Sequence, residues 1–178
     1  MQEIEVKILE VDTSYITQKL ESWGAKNVFE GEVDASYYDF SNGRLKDNNL
    51  LLRLRKKGPI VELTLKEKVE QEEAKIMQEY EVRVTDFEIM QKILYGLGLM
   101  EIKVARKHRT SYLLDEVHFE FDTIPGIPTF LEIEASTMER VREYVQKLGF
   151  SMQDAKPWSG GDVIRYYEKN KKKNGCKK

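Results

Sequence analysis

Glu3-Ile4-Glu5-Val6-Lys7 sets three charged side chains on one face of an alternating stretch, with Ile4, Val6 and Ile8 on the other. The same period of two recurs along the chain. Arg53 and Arg55 alternate with Leu52 and Leu54, Glu62, Thr64 and Lys66 with Val61, Leu63 and Leu65, and Glu79, Glu81 and Arg83 with Tyr80, Val82 and Val84. Further on, His118, Glu120 and Asp122 alternate with Phe119 and Phe121, and Glu132 and Glu134 with Leu131 and Ile133. Such alternation predicts strands with one polar face. A face left in water usually mixes Ser, Thr and Lys; here Glu, Asp, Arg and Lys dominate. Closing the sheet would gather these charges into a lumen and turn the apolar faces outward.

A lumen bearing both signs has a specific chemical use. Arg matches phosphate oxygens through a rigid fork and Lys as a point charge. Carboxylates would repel that phosphate unless a divalent metal lay between, and Mg²⁺ and Mn²⁺ take oxygen ligands from protein carboxylates and phosphates together. Clustered acids beside clustered bases therefore point to a metal-loaded polyphosphate site. There, hydrolysis or transfer follows when the metal polarises the phosphoryl group or activates an attacking oxygen and cations neutralise the developing charge. With only His108 and His118, and no Cys/His spacing, a zinc site is not expected.

Three helices should lie outside such a sheet: Thr13 to Trp23, Asp86 to Leu97 and Thr137 to Leu148, each followed by a Gly that stops it. Asp12 or Thr13 and Ser136 or Thr137 are N-cap candidates. Their apolar residues recur every three or four positions, giving each helix one buried stripe. Ser41-Asn42-Gly43, Lys57-Gly58-Pro59 and Pro125-Gly126 carry turn chemistry and imply hairpins. Glu67 to Gln78 is dense in charge and reads equally as a helical excursion or a loop. Trp23 and Trp158 read as core or rim aromatics, and Glu62, Glu79, Arg83 and Glu120 as lumen charges or as a rim ladder.

The chain has 178 residues and 20.9 kDa, enough for one domain with a real core. At 40% hydrophobic and 34% charged residues it is neither disordered nor built of membrane helices. No signal peptide is legible, and the lone Cys176 excludes an intramolecular disulfide, so a reducing, cytoplasmic setting is expected. Net charge is −2, but six lysines and no acid fall within residues 169–178, which leaves −8 on the rest. The body is thus not expected to bind nucleic acid, nor the protein a membrane. Residues 168–178 read as a Lys-rich, disordered tail.

Taken in order, the motifs resemble the CYTH domain family, the class IV adenylyl cyclases and thiamine triphosphatases also called triphosphate tunnel metalloenzymes. They are the ExExK stretch, Tyr37-Tyr38-Asp39, Leu52-Arg53-Leu54-Arg55, Leu63-Thr64-Leu65-Lys66, Glu79-Tyr80-Glu81, Arg106-Lys107-His108-Arg109, Asp122, and Phe130-Leu131-Glu132-Ile133-Glu134. The resemblance covers residues 1–167 and implies an α+β fold: an eight-stranded antiparallel closed barrel, with helices outside, that takes a triphosphate end-on with Mg²⁺ or Mn²⁺. It implies Glu3, Glu5, Glu132 and Glu134 as main metal ligands, and Asp122 and Glu81 for a second metal or its waters. Lys7, Arg53, Arg55, Lys66, Lys107 and Arg109 would bind phosphate, with Lys7, Glu5 and Glu134 closest to catalysis. Two positions depart from the family's pattern. Met77 stands where relatives often carry Arg, and the Trp158-Ser159-Gly160-Gly161-Asp162 segment replaces a Ser-Tyr segment, leaving Lys156 as the lysine candidate for closing that end. Tyr112 reads as a packing residue.

The expected activity is metal-dependent hydrolysis of a small-molecule triphosphate, whether inorganic tripolyphosphate, thiamine triphosphate or a nucleoside triphosphate. The alternative is a class IV adenylyl cyclase forming cyclic AMP and pyrophosphate from ATP; a lesser one is a non-catalytic polyphosphate or nucleotide binder. A homodimer is compatible with so small a fold.

Overall fold

The computed structural model describes residues 2–69 and 75–175. Strand β1 (Gln2–Ile8) leads into helix α1 (Thr13–Ser22) and the long strand β2 (Lys26–Phe40); a short helix α2 (Arg44–Asp47) precedes β3 (Leu50–Lys57), β4 (Ile60–Val69) and β5 (Lys75–Val84). Helix α3 (Phe87–Gly96) returns the chain to β6 (Leu99–Leu114), β7 (Val117–Ile124) and β8 (Ile127–Ala135), followed by α4 (Met138–Lys147) and α5 (Gly160–Gly175). The sheet runs β1-β5-β4-β3-β2-β6-β7-β8 and closes because β1 pairs antiparallel with both β5 and β8.

Register decides which charges meet. Glu5 lies opposite Glu134 and Lys7 opposite Glu132, while His118 and Glu120 of β7 face Glu134 and Glu132 from the other side. Because the period is two, one register fixes every lumen position on these three strands at once. The outward faces carry the hydrophobic core. Ile4, Val6, Ile8, Phe119, Phe121, Leu131 and Ile133 pack beneath α1 and α4, against Ile16, Leu20, Val141, Tyr144 and Val145. Each such fully buried side chain contributes roughly 1.5–3 kcal/mol. A smaller cluster under α3 joins Tyr38, Leu54, Val61, Leu94 and Leu99. Trp23 and Tyr112 belong to the larger cluster, Tyr112 buried within it and Trp23 at its margin.

The three expected helices end within a residue or two of their predicted limits. Asp12, Asp86 and Thr137 cap them by accepting from the amides of Tyr15, Ile89 and Arg140. Gly24, Gly98 and Gly149 all adopt left-handed φ, near +90°, where an L side chain would be strained. Two helices come as corrections. α2 follows the Gly43 turn, and α5 begins at Gly160, ahead of the expected tail, and runs on through residues 168–175 of it, since lysine is a good helix former. Residues 176–178 of that expected tail, with Cys176, lie outside the described residues. The Glu67–Gln78 stretch is mostly strand, β4 running to Val69 and β5 starting at Lys75; residues 70–74 lie outside the described residues.

Candidate active site

Every residue singled out for metal, phosphate or catalysis lines one cavity of about 890 Å³ inside the barrel. On its β1–β8 wall, Glu5, Glu132 and Glu134 each offer a carboxylate oxygen within 4.8 Å of the others. Lys7 Nζ lies 3.1 Å from Glu5 Oε1 and 2.9 Å from Glu132 Oε2. Burial works against the Lys7 ammonium, but Glu132 and Glu5 outweigh it and hold its pKa above the usual lysine value. Glu132, buried beside Lys7, Arg109 and Lys107, is held well below the ordinary carboxylate range. Glu134 goes the other way. Burial first, then repulsion from Glu3, Glu132 and Glu5, pushes its pKa up to about 7. Ionising Glu134 is thus disfavoured by its burial and by the carboxylates around it.

Arg109 organises the adjoining wall. Its Nε and Nη2 donate to Asp122 at 2.6 and 2.7 Å, Nη2 also lies 3.4 Å from Glu132 Oε2, and Nη1 is ion-paired with Glu120. Lys107 Nζ donates to Asp122 Oδ2 at 2.6 Å. Burial and the neighbouring Arg109 bring the Lys107 pKa down to about 8. Asp122, proposed from the resemblance as a second-metal ligand, is therefore already engaged by two cations.

Across the lumen, Arg55 donates Nε and Nη2 to Glu62 Oε2 at 3.0 and 2.7 Å. Thr64 Oγ1 donates to Glu81 Oε2 at 2.9 Å, and Arg53 Nη2 to Thr64 Oγ1 at 3.3 Å. Glu81 is thus gathered with Arg53, Arg55 and Thr64 and stands apart from the three-carboxylate cluster. Lys66 pairs with Glu79 and lies 3.7 Å from Glu3 Oε2. Arg53 lines the cavity, and its Nε is buried with no hydrogen-bond partner among the described residues. Burial, then repulsion from Arg55, lowers the Arg53 pKa to about 10, which still leaves it charged at neutral pH.

Three sequence readings resolve differently. Glu62, Glu79 and Glu120 lie in ion pairs facing the lumen, whereas Arg83 is exposed. Lys156 does not close the site: its backbone exchanges hydrogen bonds with Lys7, and its ammonium donates to Gln153 O at 2.6 Å. The amino-terminal turn of α5 lines that part of the cavity instead, with Ser159, Ile164 and Arg165. Ser159 and Asp162 cap the helix reciprocally, a Ser-x-x-Asp signal present in the sequence. Lys57 was also missed. It continues the Arg53-Arg55 row by one more step of two, lines the cavity and approaches Glu120 at 3.9 Å. Met77 is buried against the lumen and supplies no basic contact there.

A closed antiparallel barrel with an apolar exterior and a lumen of paired charges defines the triphosphate tunnel fold. The CYTH domain model matches residues 1–167, and the chain belongs to that family. Its members are triphosphatases or cyclases acting on small-molecule triphosphates, in general with a metal. Among solved structures, a Pyrococcus horikoshii protein is 27% identical, with a TM-score of 0.75 over 90% of this chain and 98% of that one. A Vibrio parahaemolyticus protein provisionally described as an adenylate cyclase is 19% identical, with a TM-score of 0.80 over 92% of this chain and 97% of its own. A Hippeastrum protein provisionally described as an adenylyl cyclase, and reported to show a dominant triphosphatase activity, is 20% identical, with a TM-score of 0.66 over 92% of this chain and 95% of its own. No curated protein matches. Among the described residues no helix is long and apolar enough to cross a membrane.

Proposed function

We propose that this chain hydrolyses the terminal phosphoanhydride of a triphosphate with Mg²⁺ or Mn²⁺. The observation that carries the reading is the pairing, in one cavity, of the Glu5, Glu132 and Glu134 cluster with a facing basic set that includes the unpartnered Arg53 Nε. The donor set is all carboxylate oxygen, and the burial and carboxylate repulsion that raise the Glu134 pKa are what a hard divalent cation would relieve. Glu5, Glu132 and Glu134 would hold that metal, with Glu3 beside them; once bound it would polarise the phosphoryl group and lower the pKa of an attacking water.

The remaining work falls to the chain itself. Arg53, Arg55, Lys66, Lys107 and Arg109 bind the phosphate chain and fix its position along the tunnel. Because Lys7 stays protonated, it serves as a donor to a phosphoryl oxygen rather than as a base. Water adds at the terminal phosphorus, the bridging P–O bond breaks, and the water's second proton leaves with the released orthophosphate or to solvent. Glu5→Gln and Glu134→Gln should each abolish turnover under saturating Mg²⁺ or Mn²⁺ while sparing the fold. Near-full activity in either variant would overturn the metal assignment.

A second reading is a class IV adenylyl cyclase, in which a ribose 3′-hydroxyl replaces water and pyrophosphate leaves. What favours it is the apolar part of the same cavity, lined by Tyr37, Leu51, Leu52 and Ile164, which suits a nucleoside beyond the phosphates. The protein is expected to act in the cytoplasm.

A further inference from the structure

The inward residues of β3 are, in chain order, Leu51, Arg53, Arg55 and Lys57, each about 7 Å beyond the last along the strand. Through β2 and β6 the sheet sets β3 antiparallel to β7. Lys57, the last residue of β3, and His118, near the start of β7, therefore share one end of the barrel, and Leu51 and Gly126 share the other. Helix α5 is anchored at that other end, where Lys171 Nζ donates to Gly126 O at 2.6 Å.

Lys57 and His118 both line the cavity, and neither side chain makes a hydrogen bond among the described residues. The Lys57 ammonium lies 4.7 Å from the centre of the Phe29 ring, which packs on Gly31 and Gly58, and 3.9 Å from Glu120, too far for a hydrogen bond. Glu120 is already taken by Arg109 and by Ser111 Oγ, which donates to it at 3.1 Å. The ring thus holds the ammonium in place and leaves its N–H donors without acceptors. Burial, then repulsion from Arg109 and Arg55, lowers the Lys57 pKa; burial, then the Lys57 charge, lowers that of His118. An anion between the two would relieve that repulsion. Glu134, opposite His118 in register, belongs to the carboxylate cluster, and a divalent cation there would compensate it.

We propose that Lys57 and His118 form an orthophosphate subsite at the end of the tunnel away from α5, through which the phosphate cut from a triphosphate leaves. Its role as a product site rests on the hydrolytic reading above; the binding of the anion does not. Direction follows from the order along β3. Leu51, with Tyr37 and Ile164, suits the organic group of a nucleoside triphosphate. Arg53 and Arg55 come next and hold the phosphate chain, so the terminal phosphorus points toward Lys57. Once water has added there and the bridging P–O bond has broken, the orthophosphate, which keeps the water's oxygen, meets an ammonium and an imidazole N–H that have no other acceptor. The pyrophosphate or nucleoside diphosphate stays on the arginine side, and the two products part in opposite directions.

Nuclear magnetic resonance of the two histidine rings tests this, because the chain holds only His108 and His118 and His108 lies outside the cavity. With Mg²⁺ present, which is diamagnetic, orthophosphate titrated through the millimolar range at constant ionic strength should move the His118 signals, assigned from His118→Phe, and leave those of His108 in place. Lys57→Met should weaken that binding by about 10- to 100-fold, the range for a hydrogen bond to a charged group. Lys57→Arg, which keeps the charge, should retain most of it and guards against misfolding in the first variant. In turnover assays Lys57→Met should weaken product inhibition by orthophosphate by the same factor, with inhibition by pyrophosphate changed less than about threefold. His118 signals that ignore orthophosphate, or that respond as strongly in Lys57→Met, overturn the subsite. Equal loss of pyrophosphate inhibition overturns it as a separate exit and places Lys57 in the common phosphate set. Orthophosphate binding that depends on Lys57, in a protein that hydrolyses no triphosphate, supports the subsite and overturns the hydrolytic reading alone.

Discussion

Arg109 grips Asp122 with two near-parallel hydrogen bonds, Nε to Oδ1 at 2.6 Å and Nη2 to Oδ2 at 2.7 Å, across adjacent strands β6 and β7. The pair is almost wholly buried and shared with Lys107, Glu120 and Glu132. Burial raises the Asp122 pKa, but Arg109 and Lys107 outweigh it and hold the group ionised. The tunnel is therefore a network of compensated charges in which a few groups are left short of partners. Those few are where ligands are expected.

Removing Asp122 should unbalance the network. Asp122→Ala leaves Arg109 without its bidentate partner in a buried site, and the loss should be about 3–5 kcal/mol in denaturant unfolding. A loss under about 1 kcal/mol would mean that Glu120 and Glu132 alone satisfy Arg109.

Arg53 should behave in the opposite manner. Its Nε has no partner among the described residues, so Arg53→Met should leave the melting temperature unchanged or higher. Tripolyphosphate affinity should fall by about 10- to 100-fold, the worth of one charge-assisted hydrogen bond of about 1.5–3 kcal/mol. Calorimetric titration reads this directly, and undiminished affinity would remove Arg53 from the phosphate set.

Glu134 gives the chain a stability slope with pH. Its pKa is raised from the ordinary 4.5 to about 7 on folding, so the native state holds a proton that the unfolded chain has lost. Stability from this group is therefore greatest below about pH 4.5 and declines as pH rises to about 7, then levels off. In a metal chelator, Glu134→Gln should raise the melting temperature at pH 8 and gain nothing near pH 4.5. An equal effect at both pH values would contradict the raised pKa.

Asp39 carries a structural role inside a sequence motif. Its carboxylate accepts from the amides of Phe40, Leu45 and Lys46 at 2.7, 2.8 and 3.1 Å, fixing the turn into α2. Asp39→Ala should cost about 1–3 kcal/mol by orphaning those donors, with kcat changed only a few-fold. Loss of turnover in a variant of normal stability would instead place Asp39 in the chemistry.

The lumen was legible because its strands carry charge at nearly every inward position, so the period of two named Glu3, Glu5, Lys7, Arg53, Arg55, Lys66, Glu81, Asp122, Glu132 and Glu134 without any partner being known. Lys107 and Arg109 came only with the family resemblance, since their strand lacks clean alternation. Pairing was not legible at all. That Arg109 meets Asp122, or Lys66 meets Glu79, depends on registers between segments distant in sequence. Lys57 was hidden by the turn it enters, and Arg165 by a helix whose start signal, Ser159 with Asp162, sits in a Gly-rich stretch. The exposed ridge of Ile89, Ile93 and Leu97 reads in sequence as a core stripe; only the structure turns part of it outward.

Attack of water on a triphosphate held in this tunnel is tested most directly by its products. Purified protein with Mg²⁺ or Mn²⁺ should be offered tripolyphosphate, thiamine triphosphate and ATP in parallel, with orthophosphate, pyrophosphate and cyclic AMP resolved. Release of orthophosphate from at least one substrate, without cyclic AMP from ATP, is the predicted result. Cyclic AMP formed with stoichiometric pyrophosphate, or saturable binding of tripolyphosphate with no turnover under either metal, would contradict it.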